Sequence, residues 1–199
     1  MFRRTGVEIV TGFLGSGKTS FINSFLKISK KKNEEIIIFQ CEKGKGIISE
    51  ELTSDKNIVV KQFASNYELK ENEFLRAVKF YAPNRLIIES NGVCSLDKLL
   101  LFLNSKQIKK YVKVTAIITI IDGCTFNMFF KNMASLILPN IQAADLIIVS
   151  NCSKISEAIA KDIIDKIKEL NFHANILKSD FTYTMIDSLK NCSIIKKKI

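Results

Sequence analysis

The chain has 199 residues, 47% of them hydrophobic and 25% charged, with a formal net charge of +10. This suits one folded domain with a sizeable core and excludes a disordered chain. No apolar run reaches the ~18 residues that a bilayer span requires.

The positive charge suggests an anionic partner. It is carried almost wholly by lysine, with arginine only at Arg3, Arg4, Arg76 and Arg85. Lysines cluster at KISKKK (27–32) and KKK (196–198) without interleaved aromatic residues. Both clusters read as solvated surface, and a nucleic-acid site is poorly supported. The N-terminal MFRRTGVEIVTG has two arginines before a short apolar run that enters a glycine loop directly. It reads as a first strand rather than an export signal, so the expected location is cytoplasmic, away from membranes.

In chain order, the predicted strands are VEIVT (7–11), EIIIFQ (35–40), NIVVKQF (57–63), RLIIES (85–90), KVTAIITIID (113–122), ADLIIVS (144–150) and ANILKS (174–179). Most are continuous Val/Ile runs, the pattern of strands covered on both faces. Amphipathic stretches lie between them, including TSFINSFLKISK, ELKENEFLRAVKFY and SEAIAKDIIDKIKEL. In the last, Ser156 and Glu157 mark a helix start, and Ile159, Ile163, Ile164, Ile167 and Leu170 fall on one face. Pro83 and Pro139 are the only prolines to punctuate the chain. Alternating strands and helices predict a mainly parallel β-sheet flanked by helices on both faces. With no repeat or linker in view, residues 1–199 are expected to form one α/β domain.

The strongest motif is GFLGSGKTS (12–20), which fits G-x-x-x-x-G-K-[ST]. Its glycines Gly12, Gly15 and Gly17 let the backbone turn tightly and aim N–H groups at phosphate oxygens. Ser16 completes the loop. Lys18 is expected to reach the β- and γ-phosphates, Thr19 to place its hydroxyl on Mg²⁺, and Ser20 to donate to the α-phosphate. A strand before the loop and an amphipathic helix after it support a P-loop nucleotide site over a bare glycine turn. A second motif, ESNGV (89–93), ends the fourth strand. There Glu89 is a candidate ligand of Mg²⁺ or its water. The Gly92 N–H is a candidate γ-phosphate contact, making 90–95 a hydrolysis-sensitive switch.

Together these residues resemble the P-loop GTPases of nickel and cobalt metallocentre assembly: UreG, HypB and especially the CobW-like group. GFLGSGKTS resembles that group's G-F-L-G-x-G-K-T-T, and ESNGV its E-x-[ST]-G switch. TIIDG (119–123) resembles its V-V-D-A strand end. Gln142 to Asn151 is similar to Q-x-x-x-A-D-x-I-x-x-N-K-x-D. The resemblance covers nearly the whole chain and implies a nucleotide-binding domain standing without the group's C-terminal domain. It implies binding of GTP and Mg²⁺, slow hydrolysis and pairing of two copies across the nucleotide. It also implies hand-over of a metal to a client metalloenzyme or corrinoid protein, gated by the 41–50 and 89–95 loops.

The chain departs from this pattern in two places. The family's Cys-x-Cys-Cys has no cysteine counterpart in KQFASNYELK (61–70), and its Asn-Glu-x-Gly-Glu appears as QCEKGKG. That leaves Cys41 and Glu42 as obvious candidate ligands for a transition metal, with Cys94 as a possible third. The five cysteines are otherwise scattered and read as buried free thiols, although Cys94, Cys124 and Cys152 all follow predicted strands. Asp122 is read as orienting water or Mg²⁺, or as a strand-end cap.

At the base-reading position, Asn151, Cys152, Ser153 and Lys154 replace Asn-Lys-x-Asp. Lys154 carries no acceptor for guanine N1 and N2. Asn151 is expected to contact the purine or brace the phosphate loop. GTP binding with weakened preference over ATP follows, unless Lys178 or Ser179 in the next loop reads the base. The alternatives are an ATP-binding or non-hydrolysing regulatory module and, less favoured, a small-molecule kinase. Such kinases need lid arginines, and none follows Arg85.

Overall fold

Val/Ile runs dominate the centre of the molecule, where they pair into a single seven-stranded sheet of order β3-β2-β4-β1-β5-β6-β7. The computed structural model describes residues 4–41, 46–64, 69–92, 95–180 and 184–192. The strands are β1 (Thr5–Thr11), β2 (Ile36–Gln40), β3 (Ile58–Gln62), β4 (Arg85–Glu89), β5 (Val112–Asp122), β6 (Leu146–Ser150) and β7 (Asn175–Lys178). Every neighbouring pair is parallel. All seven predicted strands are therefore present, with bounds that move by at most two residues. All residues of β2, β4 and β6 are buried, whereas the edge strands β3 and β7 are largely half-buried. This is the gradient expected when helices cover the middle of a sheet better than its rims.

The helices are α1 (Lys18–Ser29), α2 (Glu50–Thr53), α3 (Glu71–Tyr81), α4 (Leu96–Leu103), α5 (Phe126–Asn132), α6 (Ala134–Gln142), α7 (Glu157–Leu170) and α8 (Thr184–Asn191). Phe21, Ile22, Phe25 and Leu26 repeat at helical spacing, so α1 buries a continuous stripe against Val10, Ile38 and Ile87 of the sheet. Met185 and Leu189 of α8 join the same cluster. On the opposite face, α3 and α4 contribute Phe74, Val78 and Leu103 over Val7, Ile9 and Phe39. Next to them, α6 and α7 cover Ile147 and Val149 with Ile141, Ile163 and Ile167. Each fully buried Ile or Phe contributes about 1.5–3 kcal/mol.

Two details differ from the sequence reading. In α7 the Ser156 hydroxyl accepts from the Ile159 N–H, which places the helix start as expected. The buried face, however, is Ala160, Ile163 and Ile167, while Ile159 is 43% exposed. The short alanine lets α7 lie close to the sheet, and that turns Ile159 outward. Pro83 lies between α3 and β4, but Pro139 sits inside α6, where it has no N–H to offer the Ser135 carbonyl. Punctuation comes instead at Met133, whose φ of −136° and ψ of 36° separate α5 from α6.

The lysine-rich connection is partly neutralised. Lys27 pairs with Glu51 at 2.8 Å and Lys30 with Asp55 at 2.7 Å. The 196–198 cluster lies outside the described residues. Among those described, no helix is long and apolar enough to cross a membrane.

Candidate functional site

In a parallel sheet, ligands gather at the carboxyl ends of strands where the chain changes direction across the sheet. Here β1 lies between β4 and β5, and the loop leaving β1 is GFLGSGKTS. Gly12 has φ 138°, Gly15 φ 79° and Gly17 φ 102°, conformations that favour residues without a Cβ.

The crowding at these glycines differs. A Cβ on Gly12 would stand 2.2 Å from the Ile120 carbonyl oxygen, whereas one on Gly15 would meet nothing within 4 Å. Gly12 is thus pressed against β5, and Gly15 faces open space over the loop. Gly17 caps α1, so the positive end of a 12-residue helix points into the same space. Ser20 is exposed in its first turn, and the Ser16 hydroxyl is buried with no hydrogen-bond partner.

Lys18 is only 3% exposed, and its ammonium donates to the carbonyls of Gly12 at 2.7 Å and Phe13 at 3.1 Å. The lysine therefore lies across the loop it is expected to serve. Beside it, the Thr19 hydroxyl donates to Glu89 Oε1 at 2.6 Å. Gln40 Nε2 donates to Glu89 Oε2 at 2.8 Å, and Gln62 Nε2 donates in turn to Gln40 Oε1 at 3.2 Å. The ends of β2, β3 and β4 thereby hold the carboxylate in one orientation.

The Thr19–Glu89 pair offers only oxygen, a donor set suited to Mg²⁺ rather than to a soft ion. A Cβ on Gly92 would lie 2.7 Å from both Gly12 O and Phe13 Cα. The turn after β4 thus rests on the phosphate loop. Gly46 closes the other side: a Cβ there would stand 2.7 Å from Thr19 Oγ1. Sequence reading did not single out Gly46, which signals its position only through this close approach.

At the ends of β5 and β6 the arrangement departs from expectation. Ser150, not Asn151, braces the phosphate loop, its hydroxyl lying 3.0 Å from the Ser16 carbonyl and 3.2 Å from that of Ile121. Asn151 adopts φ 56° and donates from Nδ2 to Asp122 Oδ1 at 3.0 Å. The same oxygen accepts from the Cys124 N–H at 3.0 Å. Of the two readings of Asp122, these bonds describe the strand-end cap. Lys154 is exposed in the 3₁₀ turn Cys152–Lys154, and Lys178 is exposed at the end of β7. Ser179 is buried, with its N–H on Val149 O and its hydroxyl against the Asp180 carbonyl.

For the transition metal, Cys41 packs in the apolar cluster of Phe39 and Phe74, while Glu42 and Cys94 lie outside the described residues. Burial and, after it, the Asp180 carboxylate push the Cys152 thiol up from its ordinary value. The thiol therefore stays protonated at neutral pH. Among the described residues, no three His, Cys, Asp or Glu side chains converge on a possible metal position.

The kinase alternative loses ground here. Arg85 begins β4, at the opposite end of the strand from Glu89, and is paired there with Glu34 at 2.8 Å and Glu8 at 3.6 Å.

Against known proteins, the nucleotide-binding domain of the CobW/HypB/UreG family matches residues 6–178. The chain belongs to that family. Among curated relatives of this CobW/HypB/UreG domain is the zinc-regulated GTPase metalloprotein activator 1 of Dictyostelium discoideum, 21% identical over 99% of this chain and 50% of its own. The protein of the same name from Schizosaccharomyces pombe is 24% identical over 92% of this chain and 47% of its own. The chain thus spans about half the length of the curated relatives it matches.

Solved structures of other proteins share the fold, among them the following two. Zn(II)-bound YjiA GTPase from E. coli has a TM-score of 0.65 at 16% identity, covering 94% of this chain and 62% of that one. Nickel-bound HypB from Helicobacter pylori has a TM-score of 0.62 at 16% identity, covering 96% and 86%. The P-loop fold expected from the sequence is therefore the one observed.

Proposed function

We propose that this CobW/HypB/UreG domain is a slow, Mg²⁺-dependent GTP-hydrolysing switch that gates the delivery of a metal to a client protein. The observation that carries the reading is the 2.6 Å contact between Thr19 and Glu89. It brings the phosphate loop and the switch strand together around a pair of oxygen ligands. When held by the Thr19 hydroxyl and the Glu89 carboxylate, Mg²⁺ would supply neutralisation of phosphate charge.

The chain's own residues do the rest. Gly12, Gly15, Ser16 and Gly17 form the cradle, and backbone N–H groups with the α1 N-terminus attract the phosphates. Lys18 leaves the Gly12 and Phe13 carbonyls for the phosphate oxygens. Ser20 donates to the α-phosphate. Gly92 carries the state of the γ-phosphate into the 89–95 segment, and Gly46 carries that of the Thr19 site into the segment before α2. Asp122 and Asn151 shape the base-side loop, with Lys154 and Lys178 flanking it.

The relatives' names, as zinc-regulated activators of metalloproteins, support metal hand-over as the output. We read residues 1–199 as one cytoplasmic nucleotide domain that pairs with a second copy across the nucleotide and serves a metalloenzyme or corrinoid protein. Use of ATP is the second reading, favoured by the cation Lys154 where a guanine acceptor is usual.

The test is Glu89→Gln. Nucleotide binding in EDTA should stay within about threefold of wild type. The Mg²⁺-dependent hydrolysis rate should fall on the order of 100-fold, about 2.7 kcal/mol. Unchanged Mg²⁺-dependent turnover would remove Glu89 from the metal site.

A further inference from the structure

Asn23 stands four residues after Thr19 in α1, so the two side chains share one face of the helix, a turn apart. Both meet the segment that leads into α2. At its start, a Cβ on Gly46 would stand 2.7 Å from both Cβ and Oγ1 of Thr19, so the backbone there lies directly on the threonine side chain. Beyond Gly46, the Asn23 amide holds the segment at two points. Its Nδ2 donates to the Ile47 carbonyl at 3.0 Å, and its Oδ1 accepts from the Ser49 N–H at 3.0 Å. Between those points, Ile48 is buried in the cluster of Phe21, Ile22 and Leu52, whereas Ile47 is 78% exposed. One apolar anchor and one amide thus seat the segment, and the amide is only half-buried. Water competes for hydrogen bonds at such a position, so each favours the seated arrangement by a modest factor, about two- to tenfold.

We propose that Asn23 is a positioning residue for the Mg²⁺ site, a latch on α1 that holds Gly46 against Thr19. The inference rests on the assignment of Thr19 and Glu89 to Mg²⁺. A threonine has more than one staggered χ1 rotamer, and a change of rotamer would carry the hydroxyl away from Glu89, where it now sits at 2.6 Å. The Gly46 backbone, lying on the Cβ and Oγ1, walls the side chain into its present rotamer. Asn23 therefore acts through the 46–49 segment and not by ligating the ion. A site competent only while the segment is seated binds its ion more weakly by the fraction of time that the segment is not. The latch accordingly sets the affinity for Mg²⁺ and leaves the affinity for the nucleotide to the phosphate loop.

The test compares wild type, Asn23→Ala, Ser49→Pro and the double variant. Proline suits position 49, where φ is −59°. It removes the N–H that Asn23 accepts, together with a hydroxyl that has no hydrogen-bond partner. In Asn23→Ala, hydrogen exchange of the Ser49 amide should speed up at least about fivefold. Calorimetry would titrate Mg²⁺ into protein loaded with a non-hydrolysable GTP analogue. The Mg²⁺ dissociation constant should rise about tenfold in Asn23→Ala, which loses both bonds, and about threefold in Ser49→Pro, which loses one. The double variant should stay within about twofold of Asn23→Ala, because both changes cut the same contact. Affinity for the analogue in EDTA should stay within about twofold of wild type throughout. Thermal unfolding verifies that each variant is folded.

An unchanged Mg²⁺ dissociation constant in Asn23→Ala would overturn the proposal, as would shifts that add in the double variant. Equal weakening of the analogue in EDTA would overturn it too, by moving the effect from the ion to the nucleotide. All three outcomes leave Thr19 and Glu89 in place. Analogue-loaded wild type that takes up no Mg²⁺ would instead remove the Thr19–Glu89 site, and this inference with it.

Discussion

Lys18→Ala should reduce affinity for GTP and ATP by at least about 100-fold, below detection by calorimetry at micromolar protein. The ammonium is the only side-chain cation within the GSGK turn of the loop, and it is held in the site by two carbonyls, Gly12 at 2.7 Å and Phe13 at 3.1 Å. Those bonds hold it where the glycine backbone amides converge, ready to exchange two neutral acceptors for charged phosphate oxygens. A charge-assisted hydrogen bond is roughly twice as strong as a neutral one, so the exchange favours binding. The truncation also leaves carbonyls unpaired, at a cost of about 1–3 kcal/mol in stability. Thermal unfolding should accompany the titration to separate the two effects. Retained affinity in a folded Lys18→Ala protein would dismiss the phosphate-loop assignment.

Gly12→Ala should be the most damaging single-methyl change in the loop. The added Cβ would fall 2.2 Å from the Ile120 carbonyl oxygen and 2.8 Å from the Ser16 hydroxyl, at a φ of 138°. The backbone of β5 cannot retreat without breaking its pairing with β1 and β6, so overpacking of about 1–3 kcal/mol adds to conformational strain of similar size. Gly15→Ala is the internal control: its φ is 79°, but its Cβ would meet nothing within 4 Å. Urea denaturation should show Gly12→Ala losing about 3 kcal/mol or more, and Gly15→Ala about 1–2 kcal/mol from backbone strain alone. Equal losses would mean that crowding against Ile120 does not distinguish the two positions.

Most of the architecture was readable in one dimension. Runs such as Ile36–Phe39 and Leu146–Val149 are buried on both faces, and burial on both faces is what a continuous apolar strand encodes. The phosphate loop was equally readable, because glycine, lysine and hydroxyl chemistry are confined to nine consecutive residues. Glu89 could be placed from its position at the end of the fourth strand, with two strands intervening, and the fold brings it to Thr19.

The base side was not legible in the same way. Ser150, Asp122, Asn151 and Asp180 work through contacts spanning 134, 29 and 27 residues, made by β5, β6 and β7 lying side by side. A motif that changes two of its three fixed residues, with Cys152 for lysine and Lys154 for aspartate, reads only as degraded, because what stands beside it comes from the neighbouring strand. Lys178 and Ser179 could be placed near this turn from the sequence, but the bond from Ser153 N–H to Asp180 follows only from the register of β6 and β7. In α7 the miss was smaller and local. Five apolar side chains fit a helical face, and only contact with the sheet decided that Ala160 faces inward and Ile159 outward.

The proposed conversion of GTP to GDP at a Mg²⁺ site built from Thr19 and Glu89 makes Mg²⁺ a requirement for turnover by this CobW/HypB/UreG domain. This requirement is most directly tested by single-turnover hydrolysis of γ-labelled GTP with protein in excess, with and without Mg²⁺. Phosphate release should require Mg²⁺ and proceed on the order of 10⁻⁴ to 10⁻² s⁻¹, the range of unassisted P-loop GTPases. GTP left intact over a day with Mg²⁺ present, or hydrolysed equally well without it, would rule out a Mg²⁺-dependent hydrolytic site at Thr19 and Glu89.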